Sequence, residues 1–216
     1  MSLPADPRRV YITDDPAEDT PRARKHALVR ETKRVIEHVT LLDVHGVADS
    51  DLVDLIERTG TLADALETKP RFHGLADLPS PDSALLERSG ISGRSNPLAP
   101  PLQMHMDDDG VTHGSAVYGM AYEGPIGHLH GGFVAAAFDE LLGFAQTASG
   151  RAGYTGTLTI KMRRPTPLKE PIRYEARVER VEGRKIFCTA TSWHGDALLC
   201  EADIVMITPA DGTRPR

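Results

Sequence analysis

The sequence contains few cysteines and no long hydrophobic run. Only two of its 216 residues are cysteine, Cys188 and Cys200, and both fall in strand-like segments. This pattern predicts buried thiols rather than a disulfide framework, and a reducing compartment, the cytoplasm. No apolar stretch approaches the roughly 18–20 residues that cross a bilayer, so we predict no membrane span. The first twenty residues also lack the apolar core of a secretory signal.

Acidic residues outnumber basic ones, but they are unevenly distributed. The formal net charge is −6 at pH 7, which predicts that nucleic acid is not a partner. Residues 151–190 nevertheless contain ten Lys or Arg and only four Glu. A basic strip on an acidic protein can steer an anionic ligand, and the solvated face of a sheet can have the same composition. Composition alone leaves both interpretations open.

The N-terminal half has the composition of helices and loops. Residues 1–20 are polar and acidic with repeated prolines, which predicts a flexible tail. The spacing of apolar residues predicts one helix from Pro21 to about Val44 and a second with Ser50 as its N-cap. The apolar faces of these helices comprise Leu28, Val35, Val39 and Leu42, then Leu52, Leu55, Ile56, Thr59, Leu62 and Leu66. Residues 68–101 are rich in Pro, Gly and Ser and predict a long loop that covers or lines a site.

The C-terminal half has the pattern of strands around one helix. Two strand-like segments, LQMHMD and VTHGSAVYGMAY, precede an apolar helical segment. Four more follow it: TGTLTIKMRR, IRYEARVERV, RKIFCTATSW and ALLCEADIVMIT. The short links between the last four predict antiparallel neighbours. This order predicts an α+β fold in which an antiparallel sheet curls around the helix and buries it.

The helical segment, GHLHGGFVAAAFDELLG at 127–143, carries two acids in an otherwise apolar sequence. Burying a carboxylate without a partner is costly, so Asp139 and Glu140 need an explanation. Their neighbours at i±3 and i±4 are apolar in both cases, so spacing does not decide which of the two serves a site. The other is expected to be ordinary.

The HGG sequence before this helix suits the binding of a developing oxyanion. Glycines permit close approach to the backbone, and the first helical turn has N–H groups without intrahelical partners. A simple turn would need the same glycines. Asp139 lies eight residues after Gly131, about 12 Å along the helix, so it cannot attack a carbonyl held at its own helix start. If both groups serve one reaction, they come from two subunits with antiparallel helices, and the protein is a dimer.

These residues also resemble a known family. HLHGGFVAAAFDELLG resembles the HGG-x6-D-x3-G signature of hot-dog-fold acyl-CoA thioesterases, the group that includes the phenylacetate-pathway enzymes. EGPIGHLHGG, YTGTLTIKMRRPTPL and VERVEGRKIFCTAT are similar to Them4-like members, and the resemblance covers roughly residues 95–208. It implies a hot-dog fold, a homodimer or tetramer, and an acyl-CoA substrate. The predicted organisation is a tail (1–20), a helical extension with a loop (21–95) and a hot-dog domain (96–210).

The resemblance implies a role for each residue of the signature. Asp139 matches the catalytic carboxylate, acting as nucleophile or as general base on water. Gly132, with Gly131, matches the oxyanion-binding turn, and His130 orients the loop or the thioester carbonyl. Thr155 matches a threonine that positions the attacking water. Glu140 is then left with a structural role.

The resemblance also gives the basic strip a function. By period two, Thr155, Thr157, Thr159, Lys161 and Arg163 share one strand face, and Leu158, Ile160 and Met162 face the helix. Related proteins hold the phosphates of coenzyme A at the positions of Lys161, Arg163, Arg184 and Lys185, with Arg173 a weaker candidate. A solvated sheet surface remains the alternative for each of them.

The sequence therefore predicts an acyl-CoA thioesterase with coenzyme A as part of its substrate and no separate cofactor. His128 and His130 lack the further ligands of a metal site, so we predict no metal, and His128 receives no role. Two alternatives remain open: an acyl-CoA-binding hot-dog protein without turnover, and an acyl-CoA hydratase or dehydratase.

Overall fold

The architecture consists of two N-terminal helices followed by a sheet with one inserted helix. A computed structural model describes residues 20–71 and 87–210. The helices are α1 (Pro21–Thr40), α2 (Asp49–Glu67) and α3 (Gly131–Ala145). The strands are β1 (Gln103–Met106), β2 (Thr112–Val117), β3 (Tyr154–Met162), β4 (Pro171–Glu182), β5 (Lys185–His194) and β6 (Ala197–Ile207). The predicted order of two strands, one helix and four strands is confirmed.

All six strands form one antiparallel sheet in the order β1-β2-β4-β5-β6-β3. Helix α3 packs against β2, β3, β4, β5 and β6, because it carries apolar side chains on most of its surface. Val134, Phe138, Leu141 and Leu142 are buried, and each such side chain stabilises the fold by roughly 1.5–3 kcal/mol. A sheet wrapped around one helix is the hot-dog fold, so this prediction is confirmed. Strand β3 lies at the edge of the sheet, next to β6 alone.

A β-bulge near the start of β3 changes which side chains face the helix. Thr155 pairs with Met206 and Thr157 pairs with Val205, so Gly156 is the extra residue. A bulge breaks the alternation of faces, and the Thr155 side chain reaches Asp139 on α3. The prediction that Thr155 shares a face with Thr157 and Thr159 was therefore wrong. Beyond the bulge, Leu158 and Ile160 pack against the core as predicted.

The N-terminal helices are amphipathic, but most of their apolar residues are exposed. Helix α1 ends at Thr40 rather than near Val44, and its buried residues are His26 and Val29. Helix α2 buries no residue, and Ile56 is 70% exposed. Its N-cap is Ala48 rather than the predicted Ser50, which lies within the first turn. The first nineteen residues of the predicted tail and residues 72–86 of the predicted loop lie outside the described part of the chain.

Candidate active site

The start of α3 offers one free backbone donor. His130 is the N-cap, and its carbonyl accepts hydrogen bonds from the amides of Phe133 (2.9 Å) and Val134 (3.2 Å). Its ring Nδ1 accepts a hydrogen bond from the Gly132 amide at 3.0 Å. Among the described residues, none accepts a hydrogen bond from the Gly131 amide. The Gly131 N–H is therefore the helix-start donor that remains open to a ligand.

The ring of His130 is fixed by its cap hydrogen bond. Because Nδ1 accepts from Gly132, it carries no proton, and the neutral ring carries its proton on Nε2. The ring also packs edge-on to Phe133, with 6.5 Å between centroids. The sequence predicted that the amides of both Gly131 and Gly132 bind the oxyanion. Within the described residues the Gly131 N–H is free, whereas the Gly132 N–H donates a hydrogen bond to the His130 ring. The role that the resemblance implies for His130 stays a prediction, and the structure shows its ring bonded to the Gly132 amide of the turn.

A second candidate group, the Asp139–Thr155 pair, lies at the middle of α3. The Thr155 hydroxyl donates a hydrogen bond to Asp139 Oδ1 at 2.8 Å, and both residues are exposed at the edge of the sheet. Thr155 Oγ1 also lies 3.6 Å from Met206 Sδ. An exposed carboxylate on an apolar helix, held in place by a neighbouring hydroxyl, is suited to act as a nucleophile or as a base on water.

The adjacent carboxylate has a different environment. Glu140 Oε1 accepts hydrogen bonds from the hydroxyls of Ser89, at 2.7 Å, and Ser92. The Ser89 hydroxyl in turn accepts the backbone amides of Ile91 and Ser92. Glu140 therefore holds the loop before β1 against α3, which is the structural role expected for it. Asp139 and Glu140, which spacing in the sequence did not distinguish, are therefore distinguished by their hydrogen-bond partners.

Strand β3 runs from the Asp139–Thr155 pair to the start of α3. Its first residues lie beside Asp139, through Thr155. Its last residue lies beside the helix start, because a Cβ placed on Gly131 would be 3.5 Å from Met162 Cε. The strand thus runs antiparallel to α3, with Asp139 near one end and Gly131 near the other. Asp139 and Gly131 of one chain are about 12 Å apart along the helix.

The basic residues predicted to bind coenzyme A fall into two groups. Lys161 and Arg163 lie at the Gly131 end of β3, and Arg163 forms an ion pair with Glu201. Arg184 and Lys185 lie at the other end, where Lys185 and Tyr154 both pair with Ile207. Arg173, on β4, lies over the ring of Trp193 at 5.6 Å. One chain therefore does not gather these side chains into a single cluster.

The cysteines and histidines do not add a second centre. Burial raises the pKa of the Cys188 thiol to about 12 and also raises the pKa of Cys200, which makes thiolate chemistry unfavourable at both. Within the described ranges, no group of three His, Cys, Asp or Glu side chains is arranged to hold a metal ion. His128 Nδ1 lies 2.9 Å from the carbonyl of Ile126, within its own loop. None of the helices in the described residues is long and apolar enough to cross a membrane.

Comparisons with known proteins agree with this geometry. The family model of the thioesterase superfamily matches residues 126–201. Acyl-coenzyme A thioesterase THEM4 of Xenopus laevis is 35% identical over 79 residues, which are 36% of this chain and 35% of the relative. The Mus musculus protein of the same name is 32% identical over 91 residues, 41% of this chain and 39% of the relative. The chain thus matches less than half the length of these curated relatives.

A solved structure matches a much larger part of the chain. A crystal structure described as a thioesterase superfamily protein has a TM-score of 0.74 and 28% sequence identity. The match covers 85% of this chain and 94% of the other. The matched region therefore extends beyond the six-stranded domain.

Proposed function

We propose that the chain, whose residues 126–201 match the family model of the thioesterase superfamily, hydrolyses the thioester bond of an acyl-coenzyme A. The observation that carries the proposal is the exposed Asp139 carboxylate with its hydrogen bond from Thr155. An acid in this position on an apolar helix has no packing role, whereas the neighbouring Glu140 has one. The names of the THEM4 relatives support the choice of substrate class.

We propose that the complete site forms between two copies of the chain. Strand β3 is a sheet edge, and such edges pair readily with a second strand. If two β3 edges pair antiparallel, the Thr155 end of one meets the Met162 end of the other. Because β3 is also antiparallel to α3, Asp139 then approaches Gly131 of the partner subunit. The helix start and the carboxylate, which one chain keeps apart, are brought together in this dimer.

The reaction would proceed at the carbonyl carbon of the thioester. The carbonyl oxygen accepts a hydrogen bond from the Gly131 amide, where the helix dipole adds positive potential. In one route Asp139 attacks the carbon, the coenzyme A thiolate leaves, and water hydrolyses the resulting mixed anhydride. In the other route Asp139 removes a proton from water held by Thr155, and the hydroxide attacks before the thiolate leaves. Both routes yield a carboxylic acid and coenzyme A.

The same dimer would also unite the two basic groups. Lys161 and Arg163 lie at the Met162 end of β3, which meets the Tyr154 end of the partner strand. Arg184 and Lys185 of the partner subunit lie at that end. Four cations from two chains would then be available to the phosphates of coenzyme A, with Arg173 further along the sheet.

Release of free thiol from short, long and aryl acyl-CoAs tests the proposal. We expect turnover by the wild type and a loss of roughly 10²–10⁴-fold in kcat for Asp139→Asn, the range typical of a lost acid–base group. Asp54→Asn is the matched control, because Asp54 is an exposed helical carboxylate on α2 that pairs with Arg58. The buried Cys188 and Cys200 should not react with the thiol reagent while the protein is folded.

Two outcomes would reject the proposal. One is the absence of thiol release from every substrate, with acyl-CoA still bound, which would indicate the non-catalytic alternative. The other is turnover that does not depend on Asp139. Hydration of an enoyl-CoA without thiol release would indicate the hydratase alternative.

Isotope labelling tests the nucleophilic route. A single turnover in water enriched in oxygen-18, with enzyme in excess, places the label in Asp139 if this side chain is the nucleophile and water attacks the Asp carbonyl of the mixed anhydride. If Asp139 acts as a base on water, Asp139 stays unlabelled and all of the label is in the product acid. Mass spectrometry of the peptide containing Asp139 and of the product reads both outcomes.

A further inference from the structure

Helix α1 is attached to the hot-dog domain by a carboxylate. Glu37 Oε1 accepts a hydrogen bond from the Met120 amide at 3.0 Å, and Oε2 accepts one from the Ala121 amide at 3.3 Å. These amides begin a 3₁₀ turn, Met120–Tyr122, that has no side-chain cap of its own. Glu37 is 83 residues away from Met120 in the sequence. The N-terminal extension therefore supplies the cap of a turn in the domain.

Gly119 allows this contact to form. A Cβ placed on Gly119 would lie 2.5 Å from Glu37 Oε2, closer than real atoms approach. Its backbone angles, φ −85° and ψ −177°, are accessible to any residue. Space for the carboxylate, rather than backbone conformation, therefore accounts for the glycine.

The turn leads directly to the start of α3. The carbonyl of Tyr122 accepts a hydrogen bond from the His130 amide at 3.0 Å. The Tyr122 ring packs edge-on against Phe133 at 5.0 Å, and its hydroxyl donates to the carbonyl of Ala99 at 3.0 Å. Tyr122 thus holds both the N-cap residue of α3 and a side chain in its first turn.

The last step connects this turn to the Gly131–Gly132 amides. His130, held by Tyr122, accepts the Gly132 amide on its ring Nδ1. A continuous series of contacts therefore runs from Glu37 through Met120–Tyr122 and His130 to the helix start. The loop between them is tight, since a Cβ on Gly124 would lie 2.7 Å from His130 Cα. A displacement of the turn is consequently transmitted to His130 rather than absorbed.

We propose that Glu37 is a positioning residue, which sets the placement of the His130–Gly132 turn from outside the hot-dog domain. Its relevance to catalysis rests on the proposed thioesterase function, in which the Gly131 amide binds the carbonyl oxygen. The side chain of Glu37 does not contact the substrate in this scheme. It acts through the backbone of residues 120–122.

Other contacts hold the loop in place when Glu37 is removed. The Leu129 amide donates to the carbonyl of Thr166 at 2.8 Å, and His128 forms a bridge with Pro167. The loss of Glu37 should therefore loosen the turn without unfolding it. This predicts a lower kcat, because a small misplacement of the oxyanion donor weakens the transition state, and little change in KM, because the phosphate contacts are unaffected.

The experiment is a double-mutant cycle of Glu37→Ala and Gly119→Ala, with Glu31→Ala as control. Glu31 lies on the same helix, is exposed and pairs only locally with Arg34. Amide exchange at Met120, Ala121, His130 and Gly132, followed by NMR, is measured together with kcat and KM on the best acyl-CoA substrate. We expect Glu37→Ala to accelerate exchange at these four amides and to lower kcat by about tenfold with KM within about twofold. Glu31→Ala should match the wild type.

The second variant makes the cycle specific. Gly119→Ala should reproduce both effects, because its new methyl group displaces the carboxylate. In the Glu37→Ala background the same methyl group meets no carboxylate, so Gly119→Ala should add nothing further. Non-additivity of this kind identifies the contact itself as the source of the effect.

Three results would overturn the proposal. They are exchange in Glu37→Ala that equals the wild type at His130 and Gly132, fully additive effects of the two substitutions, and a kcat unchanged despite faster exchange. The exchange measurements do not require a substrate. If the wild type hydrolyses no thioester, the proposed function fails, and exchange at His130 and Gly132 still decides whether Glu37 positions the turn.

Discussion

The Thr155 hydroxyl donates to Asp139 Oδ1 across 2.8 Å and so joins the edge strand β3 to the middle of α3. The hydrogen bond fixes one carboxylate oxygen and leaves the other open at an exposed position. Asp139 is thereby oriented towards the sheet edge. The neighbouring Glu140 instead accepts hydrogen bonds from Ser89 and Ser92 in the loop before β1. The predictions below follow from this arrangement and from the geometry of the helix start.

Thr155→Val should lower kcat by roughly 10–10²-fold, since it removes the hydroxyl that orients Asp139 or its water. Valine suits a strand, so the melting temperature should change little. The control is Thr157→Val, which makes the same change beyond the bulge. Steady-state kinetics and thermal unfolding of both variants check this expectation. Equal losses of kcat in the two variants would contradict the assigned role of Thr155.

Gly131→Pro should abolish the open helix-start donor without harming the helix. Gly131 is the first helical residue, a position where proline is favoured and where the lost N–H has no intrahelical partner. His130, at φ −62° and ψ 134°, already has a conformation suited to precede proline. We expect kcat to fall by roughly 10²–10³-fold while the melting temperature is maintained.

Gly131→Ala is the matched control for this substitution, because it retains the N–H. Its methyl group would lie 3.5 Å from Met162 Cε, an ordinary contact. A proline variant that is as active as the alanine variant would show that the Gly131 amide does not bind the carbonyl oxygen.

Mixing two inactive chains should restore activity if each site uses both subunits. In a heterodimer of Asp139→Asn and Gly131→Pro chains, one site carries both substitutions and the other carries neither. Random assembly of equal amounts makes half of the dimers mixed, so activity should recover to about a quarter of the wild-type value. Co-refolding followed by a thiol-release assay measures this. If no activity is recovered, Asp139 and Gly131 either serve a site within one chain or do not serve a common site.

Glu87, in the loop before β1, bonds to Arg22 and His26 of α1, and this contact should weaken in acid. Burial alone would raise the pKa of Glu87, but hydrogen bonds from Ser95, His26 and Arg22 outweigh it and lower the pKa below its usual value. A depressed carboxyl pKa stabilises the folded state above the unfolded value of about 4.3, and this stabilisation is lost as the pH falls through the folded pKa. The free energy of unfolding should therefore decrease more steeply below about pH 4 in the wild type than in Glu87→Gln.

Urea unfolding at several pH values between neutrality and acid measures this difference. Glu57→Gln is the control, because Glu57 is an exposed glutamate on α2. The expectation would be wrong if Glu87→Gln and the wild type lost stability in parallel.

The sequence predicted the sheet and α3 because their residues are organised by burial. Alternation along β4, β5 and β6 and the apolar surface of α3 follow from packing against one core, so periodicity identifies them. The signature residues of the site were found by resemblance, since spacing alone did not separate Asp139 from Glu140. The placement of Arg184 and Lys185 away from Lys161 required the strand order, which periodicity does not contain.

Features that depend on single hydrogen bonds or on long-range contacts could not be predicted in this way. Nothing in the sequence indicates that Glu37 caps a turn 83 residues later, or that the His130 ring takes the Gly132 amide. Ser50 has the usual chemistry of an N-cap, but the helix begins two residues earlier than predicted and Ala48 is its N-cap. The bulge at Gly156 reversed the face of Thr155, because period two assumes a regular strand.

That bulge also bears on how the protein tolerates changes in length. Deleting Gly156 would make β3 a more regular strand and would preserve every residue of the family signature. Thr155 would keep its pairing with Met206 and would still face α3, because adjacent residues of a regular strand point to opposite faces and Thr157 points away from the helix. A homologue that is one residue shorter here would therefore retain the hydroxyl beside its carboxylate, so the residue opposite Met206 identifies this threonine better than its spacing from Leu158 does.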